Sequence, residues 1–205
     1  MTGQLAFVGD VHGCLPALRG VLRALDEHQV NHTVFLGDYI NKGNHSSEVL
    51  GEVLARAARG ATTLLSGNHE RAMVAALDDG DLAPFLKLGG AMTIRSYVGG
   101  SVRPDVLSQF RASVPAQHLR ALRSMPELFE TRSVIAAHTF SAPSDSRFHV
   151  SAHVNVGPNP LISTRGAQID TGCSGVSGRL TALLWPSLRV IQVDNRGALI
   201  KRTKG

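Results

Sequence analysis

The chain has 205 residues, a net charge of +5, and 43% hydrophobic against 18% charged residues. This supports one domain with a substantial core, residues 1–205, and excludes a low-complexity chain. The apolar runs fall short of a membrane span. MTGQLAFVGD has no secretory signature, and two cysteines, Cys14 and Cys173, make no disulfide framework. A cytoplasmic protein is expected. The basic end KRTKG (201–205) reads as solvated, so neither a nucleic-acid polymer nor a membrane is expected as partner.

In chain order, QLAFVGD reads as a buried strand ending in Gly9-Asp10. LPALRGVLRALDE (15–27) places Leu15, Leu18, Leu22 and Leu25 at helical spacing. NHTVFLGD (31–38) repeats the strand, again ending in Gly-Asp, and SSEVLGEVLARAARG (46–60) the helix, with serine first and Gly60 last. ATTLLSGN (61–68) and HERAMVAALDD (69–79) form a third pair. This is the pattern of parallel βαβ units. Residues 80–132 read as mostly helical, including SVPAQHLRALRSM (113–125). ETRSVIAAHTF (130–140) reads as a strand and 180–200 as antiparallel strands with short turns, the two halves forming one sandwich.

Three motifs, GDVHG (9–13), GDYINKG (37–43) and GNHE (67–70), sit at strand ends, one strand–helix repeat apart. Open α/β sheets place ligands there. Asp10 and His12 are two apart, so an extended segment points both one way. Adjacent parallel strands bring Asp38 and Asn68 to the same rim. Carboxylate, imidazole and amide oxygen together suit divalent metals. Asp38, on the middle strand, is the natural bridge. His138, after VIAA, and His153, after HVSA, are placed to complete a second metal. His28, His32 and His118 read as surface groups. His45 lies just past the middle motif.

At these residues the sequence resembles the calcineurin-like metallophosphoesterases, most of all the small bacterial and bacteriophage branch of the phosphoprotein phosphatases. FLKLGGAMTIRSYVG (85–99), VIAAHTF and IDTGCSGVSGRLTALLW (169–185) extend the resemblance over nearly the whole chain. It implies a four-layer α/β/β/α sandwich of two mixed sheets holding two divalent metals, manganese first among Mn, Fe, Zn, Ni and Mg. It implies that Asp10, His12 and Asp38 hold one metal and Asp38, Asn68, His138 and His153 the other. Asn68 also faces substrate. In-line attack by metal-bound hydroxide and leaving-group protonation by His69 follow from the same resemblance.

The sequence departs from that family where position 41 is usually Asp and position 42 Arg. Asn41 is expected to accept from His69 through its amide oxygen without stabilising the imidazolium by charge, lowering its pKa. Lys42 keeps the charge for phosphate but loses the planar fork. The segment between His138 and His153 is short, and Arg147 is the arginine within it that could grip phosphate. Thr139-Phe140 replaces a glycine pair, and Ala152 a glycine. Two substrate readings follow: phosphate monoesters, with phosphoserine, phosphothreonine or phosphotyrosine proteins first, and symmetric dinucleoside tetraphosphates as the alternative. A non-catalytic phosphate-recognition module is a third reading.

Overall fold

A computed structural model describes residues 3–139 and 146–201 of the chain. Phe140 and residues 202–205 of the basic tail lie outside the described residues. The first three strand–helix pairs form as their patterns predict. They are β1 (Leu5–Val8), α1 (Leu15–Asp26), β2 (His32–Phe35), α2 (Ser46–Ala58), β3 (Thr62–Leu64) and α3 (Asn68–Asp79). Four shorter helices follow: α4 (Ala83–Lys87), α5 (Ala91–Val98), α6 (Val106–Ser113) and α7 (Ala116–Ser124). Strands β4 (Leu128–Glu130), β5 (Val134–Ala137), β6 (Phe148–Ser151), β7 (Leu161–Ile162) and β8 (Gly166–Gln168) come next, then the hairpin β9 (Arg179–Trp185) and β10 (Arg189–Asp194).

Two mixed five-stranded sheets face each other, in the orders β10-β9-β1-β2-β3 and β4-β5-β6-β8-β7. β1, β2 and β3 are parallel, with Leu5 opposite His32 and Thr33 opposite Thr62. β5, β6 and β8 are also parallel. Side-chain alternation sorts each strand between two cores. Ala6 and Val8 turn to the helices, whereas Phe7 turns to the second sheet. There Phe7, Val34, Leu36 and Leu183 meet Val134, Ala136, Val150 and Ala167. Burying an aromatic such as Phe7 contributes about 1.5–3 kcal/mol. Among the described residues every helix precedes β4 in the chain, so these helices build the layer outside the first sheet. No helix among them is long and apolar enough to cross a membrane.

His118 corrects the expectation of a surface group. It is buried on α7, where its Nδ1 lies 2.8 Å from the Tyr97 hydroxyl. Tyr97 of α5 covers that position. His32 is half-buried, 2.8 Å from Thr63 Oγ1 and stacked on Phe129. Cys14 and Cys173 are free thiols.

Candidate metal centre

The parallel strands deliver their carboxyl ends to one rim. Asp10 follows β1, Asp38 follows β2 and Asn68 opens α3 just after β3, while His138 follows β5 and His153 follows β6 in the second sheet. Reaching this rim bends the backbone. His12, Asp38, Asn41, Lys42 and His153 all take positive φ, between 46° and 70°. Each costs of order 1–2 kcal/mol for a residue with a side chain, and such conformers cluster at functional sites. Gly67 is needed for a different reason. A Cβ there would overlap Asp38 Oδ1, so only glycine lets this carboxylate lie against the third motif.

The donor atoms converge in two overlapping groups. In one, His12 Nε2 lies 3.5 Å from Asp10 Oδ2 and 3.6 Å from Asp38 Oδ2. In the other, His138 Nε2 lies 3.0 Å from Asn68 Oδ1, 3.1 Å from His153 Nδ1 and 3.3 Å from Asp38 Oδ1. Asp38 turns one oxygen to each group. His12 Nδ1 sits 3.0 Å from the Ile40 carbonyl and His138 Nδ1 2.9 Å from the Leu36 carbonyl. Each Nδ1–H therefore donates to backbone and leaves the Nε2 lone pair facing inward, the usual support of a metal-binding imidazole. His69 Nε2 also stands 3.5 Å from Asp38 Oδ2, at the border of the first group.

The electrostatics fit a pair of cations. Asp10 Oδ2 is buried without a hydrogen-bond partner. Asn68 Oδ1, Asp38 Oδ1, His138 Nε2 and His153 Nδ1 present mostly lone pairs to one another, an arrangement that a shared cation relieves. Burial, then Asp170, raises the Asp10 carboxyl well above its usual range. Burial, then Glu70 and Asp10, pushes Asp38 up to about 9. Burial lowers His12 despite Asp38 nearby and takes His138 down to about 3. The protein's own groups leave these carboxylates uncompensated.

A profile of the calcineurin-like phosphoesterases matches residues 3–154. The chain belongs to this family. The symmetrical bis(5'-nucleosyl)-tetraphosphatase of Paracidovorax citrulli is 42% identical over 72 residues, which are 34% of this chain and 24% of that protein. The match thus spans about a quarter of the relative's length. A candidate diadenosine tetraphosphatase shares the fold with a TM-score of 0.70, 20% identity and 94% of both chains covered. The cold-active protein-tyrosine phosphatase of a psychrophilic Shewanella species has a TM-score of 0.57 at 17% identity, covering 98% of this chain and 80% of that one.

Within this phosphoesterase fold, position 41 differs from the sequence expectation. Asn41 presents its amide nitrogen, not its oxygen, 2.7 Å from His69 Nδ1. Its oxygen accepts from the Thr93 hydroxyl at 2.7 Å, and its backbone N–H donates to Thr93 Oγ1 and Ser46 Oγ. With Nδ1 accepting, a neutral His69 carries its proton on Nε2, facing Asp38. Burial first, then His12 and Lys42, takes the His69 pKa down to about 3. Lys42 reaches His12 Nε2 at 2.7 Å.

Arg147 does not join the cleft. It precedes β6, whereas His153 follows it, so the two sit at opposite ends of one strand, roughly 15–20 Å apart. There Arg147 pairs with Glu130 at 2.8 Å. His45 pairs with Glu48 at 3.2 Å on the surface.

Sequence reasoning passed over Glu70. This fully buried residue accepts from the backbone N–H groups of Asp38 (2.7 Å), Tyr39 (2.9 Å) and Gly67 (3.0 Å). It ties the second motif to the third. Its position directly after His69 in GNHE was the available signal. Lys87, on the cleft wall with Lys42, Leu88 and Gly89, lies in the FLKLGGAMTIRSYVG stretch but was given no role there.

Proposed function

We propose that this protein is a metal-dependent phosphoester hydrolase that favours phosphoanhydride substrates, with dinucleoside polyphosphates ahead of phosphorylated proteins. The observation that carries this reading is the Asn41 amide nitrogen on His69 Nδ1. A neutral imidazole donates a hydrogen bond from Nε2 readily but surrenders that proton poorly. A serine or threonine alkoxide needs a proton as it leaves. A nucleotide phosphate leaves as a stable anion and needs only a hydrogen bond. The phosphomonoester reading, first on the sequence, therefore becomes second here. The partial match to a symmetrical tetraphosphatase supports the same order.

Asp10, His12, Asp38, Asn68, His138 and His153 are the residues we assign to hold two divalent cations. Bound there, the cations would supply Lewis-acid activation and charge compensation for phosphoryl transfer. Asp38 would orient both groups by facing one oxygen to each. His69 would donate Nε2–H toward the leaving oxygen, steadied by Asn41 and Thr93. Lys42 would move from His12 to the phosphate as a point charge rather than a bidentate clamp. The test compares kcat/KM on diadenosine tetraphosphate and on a phosphoserine peptide, with added Mn²⁺. The dinucleotide should be preferred by at least about tenfold. Preference for the phosphopeptide would reject the proposed order. Turnover no better than that of His69→Ala on either substrate would reject catalysis and leave phosphate recognition.

A further inference from the structure

The cleft over the donor cluster encloses about 430 Å³. Its floor is Asp38, Asn68, His69 and His153, and one wall carries two lysines, Lys42 and Lys87. Lys42 approaches the cluster directly. Lys87 stands further out, at the end of α4, on the exposed surface.

The wall has a fixed geometry. Phe85 anchors α4, fully buried and stacked on Phe110 with ring centroids 6.0 Å apart. The chain then turns through Gly89, whose φ of +84° favours glycine. A Cβ there would lie 3.6 Å from both the backbone nitrogen and Cγ of Lys42. The turn after Lys87 therefore packs on Lys42, and one wall of the cleft carries both amines. Several surface arginines have carboxylate partners: Arg19 with Glu52, Arg56 with Asp26, Arg123 with Asp78. Among the described residues no acidic side chain pairs with Lys87.

We propose that Lys87 forms an anion subsite next to Lys42 and holds a phosphate beyond the one attacked. This rests on the phosphoanhydride reading and names what selects it. A monoester presents one phosphoryl group, which the donor cluster and Lys42 face. A second cation further along the same wall meets a ligand only when the anion continues past that group, as a polyphosphate chain does. As an exposed amine, Lys87 adds a modest and salt-sensitive increment.

The test is calorimetry on the Mn²⁺-loaded protein at fixed free Mn²⁺ and ionic strength, with a methylene-bridged, non-hydrolysable triphosphate analogue and orthophosphate as probes. Wild type should bind the triphosphate analogue more tightly than orthophosphate. Lys87→Ala should reduce that ratio of dissociation constants about fivefold, and Lys87→Arg should restore most of it. A ratio unchanged in Lys87→Ala overturns the subsite. The two proposals fail separately. If wild type prefers the phosphopeptide while Lys87→Ala still lowers the ratio, the substrate order falls and the subsite stands. If the dinucleotide is preferred and the ratio does not move, the subsite falls and the substrate order stands.

Discussion

Replacing Asn41 by aspartate places a carboxylate where an amide now touches His69. Asn41 is fully buried and its amide nitrogen lies 2.7 Å from His69 Nδ1. With charge centres about 4 Å apart, a carboxylate and an imidazolium attract by roughly 4 kcal/mol at an effective dielectric near 20. Burying the new carboxylate offsets part of this, which leaves an upward shift of about 1–2 pK units for His69. The direction matters because His69 is now held down to about 3, by burial first and then by its cationic neighbours. The Thr93 hydroxyl, 2.7 Å from Asn41 Oδ1, would go on donating to the carboxylate, so no polar partner is stranded. In Asn41→Asp the imidazolium persists to higher pH and can protonate an alkoxide. The ratio of kcat/KM for a phosphoserine peptide to that for diadenosine tetraphosphate should therefore rise about tenfold. The basic limb of the pH–rate profile on the peptide should move upward with it. An unchanged ratio with an unmoved limb would refute the idea that position 41 selects the leaving group.

Three further outcomes are expected. Asp38→Asn removes the oxygen charge shared by both donor groups, so metal stoichiometry measured by atomic emission should fall and turnover should drop by more than about 100-fold. Retention of two metals would sink the bridging assignment. Glu70→Gln turns an N–H donor toward backbone donors, which should cost about 3 kcal/mol and lower Tm by about 6–12 °C in scanning calorimetry. A shift below 2 °C would mean Glu70 braces little. For pH, Asp38 in metal-free protein is raised to about 9 by burial, then Glu70 and Asp10. A carboxyl raised in the fold stabilises fully below its unfolded pKa of about 4 and loses that contribution as pH climbs toward the folded value. The Tm gap between Mn²⁺-loaded and chelator-treated protein should widen from pH 5 to pH 9. A constant gap would show that Asp38 ionises freely without cations.

Much of this was readable beforehand, for physical reasons. GDVHG, GDYINKG and GNHE each close a strand and open a helix, and parallel strands must end at a common rim. That alone brings Asp10, Asp38 and Asn68 together. Arg147 shows what spacing leaves out. A count of residues between two histidines gives no indication of which end of β6 an arginine occupies. His118 stood outside every motif and so read as a surface group, and no local pattern reports that Tyr97 of α5 lies over it. The orientation of the Asn41 amide depends on Thr93, more than fifty residues later in sequence. Lys87 sits on a helix of five residues, too short for a periodic signal.

The pairing of β1 with β2 is also a ruler. Leu5 lies opposite His32 and Val8 opposite Phe35. Slipping that register by one residue would shift the second motif along the first by roughly 3.3 Å. Metal–ligand distances tolerate about 0.2 Å. The backbone ladder thus calibrates the chemistry above it: a misaligned sheet would turn Val34 and Phe35 to the wrong cores and assemble no centre.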